Sequence, residues 1–363
     1  CIHLLYLSQM ISINSDNHPN SGSQSSIAES PSSASAITLA HLSDPHISCM
    51  HAITTRDLFS KRLFGYLRWK LVRGSGHSDR VLSVLQADLA STKPDHIAVT
   101  GDLTHLSLSA EFKKARQWLQ TLGSPSTVTV IPGNHDASVH SDWHKTMAHW
   151  TEYMLSDFPQ DSEHPINSID RIFPCLRIRG HVAILGLCTA QPTAPHLAVG
   201  SIGAVQLSRL EKILTQTARQ EYFRVLLIHH PPASGTVSWR KRLTYAPALQ
   251  SLLADSGVEL ILHGHAHFAH QCYLKTLSGS VPVMGAPSIT ALDRPADRRA
   301  RYYIYRISPG DDNWNVRLQV RVYSPSENRF IRKSEQQISD HQQSWGYEDG
   351  PSKGPGPHSA GGR

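Results

Sequence analysis

Three features of the sequence predict an α/β fold built on mixed sheets. Six continuous apolar runs recur along the chain, helical patterns separate them, and the later part holds stretches of antiparallel character. The runs are ITLAHLS (37–43), HIAVTG (96–101), TVTVIPG (127–133), HVAILGL (181–187), FRVLLIH (223–229) and VELILHG (258–264). Unbroken apolar runs of this length suit strands covered on both faces. Helices are predicted over 79–91 behind Ser78, over 110–122 behind Ser109, over 204–218 and over 245–255. Serine before a helix supplies a side-chain oxygen to the first free amides. The 204–218 pattern sets Leu207, Leu210, Ile213 and Leu214 on one face. Strand–helix alternation is the mark of α/β architecture. QCYLKTL, VPVMG, RYYIYRI and VRLQVRVYS, between 270 and 332, read as antiparallel strands, so the sheets are mixed rather than purely parallel.

The 363 residues suffice for one large domain with extensions. Residues 13–36 are rich in Ser, Asn, Pro and Gly, and 343–363 end in GPSKGPGPHSAGGR. Such segments bury too little apolar area to order themselves. The expected organisation is a disordered extension over 1–36, one folded domain over 37–335 and a disordered tail over 336–363. A formal charge of +6 without a basic domain gives no reason to expect nucleic acid as partner. Five cysteines, an odd number with no CxxC, argue against a disulfide framework and a zinc–thiolate site. No apolar run reaches a membrane span, and the apolar start CIHLLYLSQMISIN lacks a preceding Lys or Arg, which makes it a poor secretory signal. A cytoplasmic location is expected.

Five of the apolar runs end in polar clusters: Ser43-Asp44-Pro45-His46, Gly101-Asp102-Leu103-Thr104, Gly133-Asn134-His135-Asp136, His229-His230-Pro231-Pro232 and Gly264-His265-Ala266-His267. In α/β folds ligands bind at the carboxyl ends of strands, so clusters far apart in sequence can converge there. Carboxylate, amide oxygen and imidazole without thiolate suit Mn, Fe or Zn. Asp44 and His46 are two apart on a segment read as extended, which lets them share one face; His265 and His267 repeat the spacing. Glycines 101, 133 and 264 are read as the turns that aim these neighbours inward.

D-x-H, GD, GNHD, H-x-P and GH-x-H, in this order from about Leu39 to Pro287, resemble the calcineurin-like metallophosphoesterase superfamily, nearest to its bacterial branch with cyclic-nucleotide phosphodiesterases. The resemblance implies a four-layer αββα sandwich of two mixed β-sheets flanked by helices. It implies two divalent or trivalent metal ions (Mn, Fe or Zn), one held by Asp44, His46, Asp102 and His267, the other by Asp102, Asn134, His229 and His265. His229 rather than His230 is the implied ligand, because it stands two before the proline. His135 is the implied catalytic histidine, with Asp136 orienting it or capping the following segment. The implied reaction is in-line attack of a metal-bridging hydroxide on a phosphate ester. A phosphodiesterase acting on a small molecule such as a cyclic nucleotide comes first; a phosphomonoesterase or lipid-linked phosphohydrolase, and a noncatalytic scaffold, are the alternatives. GDLTHLS and GNHD depart from the GDxxDRG and GNHE of the family's protein phosphatases and disfavour that substrate class.

Two segments are candidates to shape the pocket. Residues 58–73 interleave Lys61, Arg62, Arg68, Lys70 and Arg73 with Phe59, Phe64, Tyr66 and Trp69, which reads as a packed basic helix or, more sharply, a lid or a face for weak contact with an anionic membrane. Ser238-Trp239-Arg240-Lys241-Arg242 follows the fourth cluster, and Arg240 or Arg242 is a candidate for a phosphate oxygen or a nucleobase face. Trp143 and Trp150, at helical spacing with His144 and His149, read as core.

Overall fold

The apolar runs become strands of two six-stranded sheets in the computed structural model, which describes residues 35–63, 65–67, 79–158, 166–277, 279–292, 295–311 and 313–338. The first sheet has the order β12-β11-β10-β1-β2-β3. Here β1 (Ile37–Leu42), β2 (His96–Val99) and β3 (Val128–Val130) are parallel. The strands β10 (Arg301–Pro309), β11 (Trp314–Ser324) and β12 (Arg329–Ile338) continue it antiparallel. The second sheet has the order β4-β5-β6-β7-β9-β8. Its parallel centre is β5 (Val182–Gly186), β6 (Phe223–Ile228), β7 (Leu260–His263) and β9 (Gly279–Gly285). Antiparallel β4 (Cys175–Arg179) and β8 (His270–Thr276) form its edges.

Alternation along β5 shows how the layers stack. Val182 and Ile184 belong to a core cluster shared with β1, β2 and β3 of the other sheet. Ala183 and Leu185 turn the other way, onto a second cluster with two helices. The helices are α1 (Asp79–Thr92), α2 (Ser109–Leu122), α3 (Ala204–Arg219) and α4 (Ala246–Ser256). Leu85 and Leu89 of α1 and Phe112 and Leu119 of α2 join the first cluster. Leu210, Ile213 and Leu214 of α3, on the face read from the sequence, join Leu249 and Leu253 of α4 in the second. The result is an α/β fold of two mixed sheets with helices outside them. Asp88 fastens α1 to the first sheet: it accepts hydrogen bonds from Arg321 Nε (2.6 Å) and Tyr302 Oη (2.5 Å).

The expectations differ from the structure in four places. Ser109 opens α2 as its first helical residue rather than capping it; the buried Glu111 carboxylate takes the amides of Leu106 (2.8 Å) and Leu108 (3.1 Å) instead. Strand β12 carries the fold past Glu335 to Ile338. Strand β4 lies outside the six apolar runs, its CLRIR carrying two arginines; Arg177 is nonetheless buried, donating to the Leu155 carbonyl (2.8 Å). The segment around Trp143 and Trp150 is 3-10 helix, Trp143–Lys145 and Met147–Tyr153, with Trp150 fully buried against Phe112. Of the expected extension over 1–36 and tail over 336–363, residues 1–34 and 339–363 lie outside the described residues. No helix among the described residues is long and apolar enough to cross a membrane.

Candidate metal centre

The ends of β1, β2 and β3 and of β6 and β7 bring the five polar clusters together. Backbone hydrogen bonds join the first two loops: Asp44 N to Gly101 O (3.1 Å), His46 N to Asp102 O (3.0 Å) and Ile47 N to Leu103 O (2.8 Å). His265 N donates to Asp44 Oδ2 (3.1 Å), which ties the second sheet to the first.

Three groups of side-chain atoms converge, and two of them share Asp102. One ligand atom from each of Asp44, His46, Asp102 and His267 lies within 4.8 Å of the others. Asp44 Oδ1 is 3.1 Å from His267 Nε2 and 3.7 Å from His46 Nε2, and Asp102 Oδ2 is 3.9 Å from His46 Nε2. Asp102, His229 and His265 form the second group. There Asp102 Oδ1 is 3.4 Å from His229 Nε2, which is 3.1 Å from Asn134 Oδ1. Asp102 thus presents one oxygen to each of these two groups. Asp44, His46, Asp102, His229 and His265 are buried, whereas His135 and His267 lie partly exposed on the open side.

The outer edges of the rings fix their tautomers. His229 Nδ1 donates to the Thr100 carbonyl (2.7 Å) and His265 Nε2 to the Lys241 carbonyl (2.9 Å), which turns His229 Nε2 and His265 Nδ1 to the centre. Burial of Asp102 works against its charge, but the rings of His229, His135 and His46 outweigh burial and hold the carboxyl well below the usual range. Burial by itself would lower His229; Asp102 overcomes it and raises the ring to about 9. His265 is pushed well down by burial and by the neighbouring His230 and His229. Asp44 Oδ1 is buried without a hydrogen bond. A buried oxygen in that state, among imidazole nitrogens and a second carboxylate, suits a cation. The His/Asp cluster fits two transition-metal ions.

The backbone that aims these side chains is unusual. Asp44, His46, Asp102, His265 and His267 all have left-handed φ, at 53°, 46°, 53°, 65° and 59°. The D-x-H and H-x-H pairs therefore converge through left-handed turns and not through the pleat of an extended segment. Gly101 is also left-handed, at 91°. Gly133 and Gly264 act by leaving room: a Cβ on Gly133 would strike Asp102 Oδ1, and one on Gly264 would strike Ser43 Oγ.

Other candidates fall differently. His230 turns away from the cluster to Thr189 Oγ1 (2.7 Å) and the Ala198 carbonyl (3.2 Å), and burial lowers it to about 3, helped by the charge of His229. Asp136 does not hydrogen-bond the His135 ring. Its carboxylate takes Gly133 N (2.9 Å), Thr104 N (2.8 Å) and Leu103 N (3.2 Å), so it secures the GNHD turn against the second loop. The His105 carbonyl orients the ring instead, accepting from His135 Nδ1 at 2.6 Å. His105 was missed: its ring stacks on His135 at 5.7 Å, and one of its nitrogens lies within 4.8 Å of nitrogens of His46 and His135. Its place three residues after Asp102 was the available signal.

Arg240 and Arg242 are exposed on the loop whose Lys241 carbonyl holds His265. That loop is pinned by Ala198 N to Arg240 O (2.8 Å) and Gly200 N to Arg242 O (3.0 Å). In the 58–73 segment Lys61 donates to Thr193 Oγ1 (2.5 Å) and the Leu197 carbonyl (2.7 Å), and Arg62 to the Leu106 and Ser107 carbonyls (2.9 and 2.7 Å). Arg68, Lys70 and Arg73 lie outside the described residues.

Comparison with known proteins agrees with this geometry. A family model described as calcineurin-like phosphoesterase matches residues 37–269, well over half of the chain. A dimetal phosphatase from Danio rerio aligns with a TM-score of 0.51 at 11% identity, covering 84% of this chain and 99% of that one. A purple acid phosphatase from yellow lupin (Lupinus luteus) seeds aligns with a TM-score of 0.52 at 12% identity, covering 84% of this chain and 54% of that one. This chain thus spans about half the length of the lupin enzyme, and at these identities the likeness is one of fold. No curated protein matches the chain. With the family model, the fold and the paired ligand groups in agreement, the chain belongs to the calcineurin-like phosphoesterases and is a metal-dependent hydrolase of phosphate esters.

Proposed function

We propose that the protein hydrolyses a phosphodiester in a small molecule, with a cyclic nucleotide as first candidate. In this reading Asp44, His46, Asp102 and His267 would hold one metal ion, and Asp102, Asn134, His229 and His265 the other. Bound there, two cations supply Lewis acidity to the phosphoryl group and lower the pKa of the attacking water. The residues of the chain do the rest. Asp102 would serve both ions, since each of its oxygens faces one group. His135, held through Nδ1 by the His105 carbonyl, keeps Nε2 for the substrate and can meet charge on the leaving oxygen. Asp136 keeps the turn beneath it rigid through the amides of Gly133 and Thr104.

The observation that carries the small-molecule reading is the loop beside His265. The Arg240 guanidinium lies 5.2 Å from the centre of the Trp239 ring, and Trp239 is 60% exposed. A stacked aromatic and guanidinium offer a face to a nucleobase and donors to a phosphate oxygen. The Mn²⁺-loaded protein should turn over bis(p-nitrophenyl) phosphate or cyclic AMP, with p-nitrophenyl phosphate as the monoester control. Replacing Arg240 and Arg242 together by Ala should raise KM about tenfold, the usual worth of a hydrogen bond to a charged group, with little change in kcat. Turnover of the monoester alone would replace this reading by a phosphomonoesterase or a lipid-linked phosphohydrolase.

Metal binding should also depend on pH in a defined direction. In the metal-free protein His229 stays protonated up to about 9 and must lose that proton to offer Nε2. Apparent Mn²⁺ affinity should therefore rise with pH through 7 and level off above about 9. Titration calorimetry at pH 7 in buffers of different ionisation enthalpy should show net proton release. Uptake, or no exchange, would remove His229 from the ligand set. A cytoplasmic site of action belongs to the same reading, supported by the free thiols of Cys49, Cys175, Cys188 and Cys272.

A further inference from the structure

Behind the metal centre, a chain of hydrogen bonds runs from the Asp44 carboxylate into the space between the sheets. Ser43 Oγ donates to Asp44 Oδ2 (2.5 Å), and Thr100 Oγ1 donates to Ser43 Oγ (2.8 Å). His41 Nε2 stands 2.9 Å from Thr100 Oγ1. With the Thr100 hydroxyl proton directed to Ser43, His41 must be the donor at Nε2. Burial, with the nearby His263, lowers His41 to about 3, so the ring is neutral and Nδ1 carries a bare lone pair. That atom is fully enclosed and has no hydrogen-bond partner.

A second bare lone pair is buried close by. His263 Nδ1 donates to the Gly264 carbonyl (2.9 Å), which leaves Nε2 as an acceptor, buried and without a partner. The Tyr305 hydroxyl is buried and without a partner as well. These groups adjoin one another. His41 pairs with Tyr303 across β1 and β10, ring to ring at 6.1 Å, and Tyr303 lies 6.3 Å from Tyr305. From β10, Tyr303 Oη reaches across the sheets to the Gly285 carbonyl (3.3 Å). Gly285 pairs with His263 on β7 and β9, and His263 Nε2 is 2.8 Å from where a Cβ on Gly285 would stand. Two acceptors and a hydroxyl enclosed together match what one or two water molecules supply, since water brings two donors and accepts in return.

We propose that the space between the sheets is a hydration site, in which ordered water donates to His41 Nδ1 and His263 Nε2, and that His41 so anchored is a positioning residue for Asp44. The chain of donors ending at Asp44 Oδ2 holds the carboxylate so that Oδ1 faces His46 and His267. The inference rests on the metal-dependent reading of the centre and adds a device at the back of it that touches neither metal nor substrate.

The test compares His41→Phe with His41→Gln in the full chain, reading Mn²⁺ dissociation constants and the spin-coupled EPR spectrum of the ion pair. Removing a partner behind a metal ligand typically weakens binding 10–100-fold. His41→Phe should weaken one of the two Mn²⁺ ions by about tenfold or more and diminish the coupled spectrum. His41→Gln, which keeps an N–H for Thr100, should stay near wild type. If the Phe side chain prevents folding, Thr100→Val cuts the same chain while keeping the carbonyl that holds His229, and should give the same one-ion loss. A crystal structure should show density for water beside His41 Nδ1. A dry space there, or both ions bound normally by His41→Phe and Thr100→Val, overturns the proposal and leaves the metal-dependent reading intact. A wild-type protein that binds no pair of ions overturns both.

Discussion

Asp102→Asn should lower kcat/KM by about 10⁴-fold or more and leave the protein with fewer than two bound ions. The amide keeps the shape of the side chain and one oxygen, but loses the charge that both ligand groups share. Asp102 Oδ1 also accepts the His135 amide (2.7 Å), so the change disturbs the GNHD turn that presents the His135 ring. A further effect follows from burial: without the carboxylate, desolvation decides the state of His229 and pushes its pKa down. The amide variant should therefore bind Mn²⁺ with a weaker dependence on pH than the parent. Metal analysis, a pH series of Mn²⁺ titrations and circular dichroism check the three parts together. Activity within tenfold of wild type, in a folded variant with both ions bound, would remove Asp102 from the shared position.

His135→Ala should act in a different way: kcat falls by about 10²–10⁴-fold while both ions stay in place. Neither of the two groups assigned to metal includes an atom of the His135 ring, and the backbone N–H that supports Asp102 survives in alanine. The loss should fall more on kcat than on KM, because in the proposed reading the ring would meet charge that develops as the ester breaks. Loss of a metal ion in His135→Ala, or a rise in KM at constant kcat, would recast His135 as a ligand or a ground-state binding residue. Comparing the two variants separates the contribution of the ions from that of the imidazole.

Much of this centre was legible in the sequence because its residues sit in short polar segments directly after apolar runs. Asp44, Asp102, Asn134, His229 and His265 lie where strands deliver them, and strands are what apolar runs report. What depends on the third dimension was not legible. The H-x-P resemblance picked His229 over His230, but not the partners that turn the two rings apart, the Thr100 and Ala198 carbonyls. The resemblance implied that Asp136 orients the His135 ring or caps the following segment, whereas the amides of Gly133, Leu103 and Thr104 take its carboxylate. His105 joins the site by stacking on His135, and only its place three residues after Asp102 marks it in the sequence. The edge strand β12 escaped because only Phe330 and Ile338 along it are buried, so its sequence reads as polar surface.

The left-handed backbone at Asp44, His46, Asp102, His265 and His267 sets endurance against activity at the same five positions. Each such residue costs about 1–3 kcal/mol relative to a relaxed conformation, and glycine would remove that cost while removing the side chain that the cluster needs. The rest of the fold, above all the two-sheet core, has to hold the centre in a shape that its own residues resist. Selection for heat tolerance alone would erode this centre before it touched the core, whereas selection for turnover keeps it tense. The same tension suggests an evolutionary route by which a member of this fold loses catalysis and gains robustness in one step, through a single substitution at a turn.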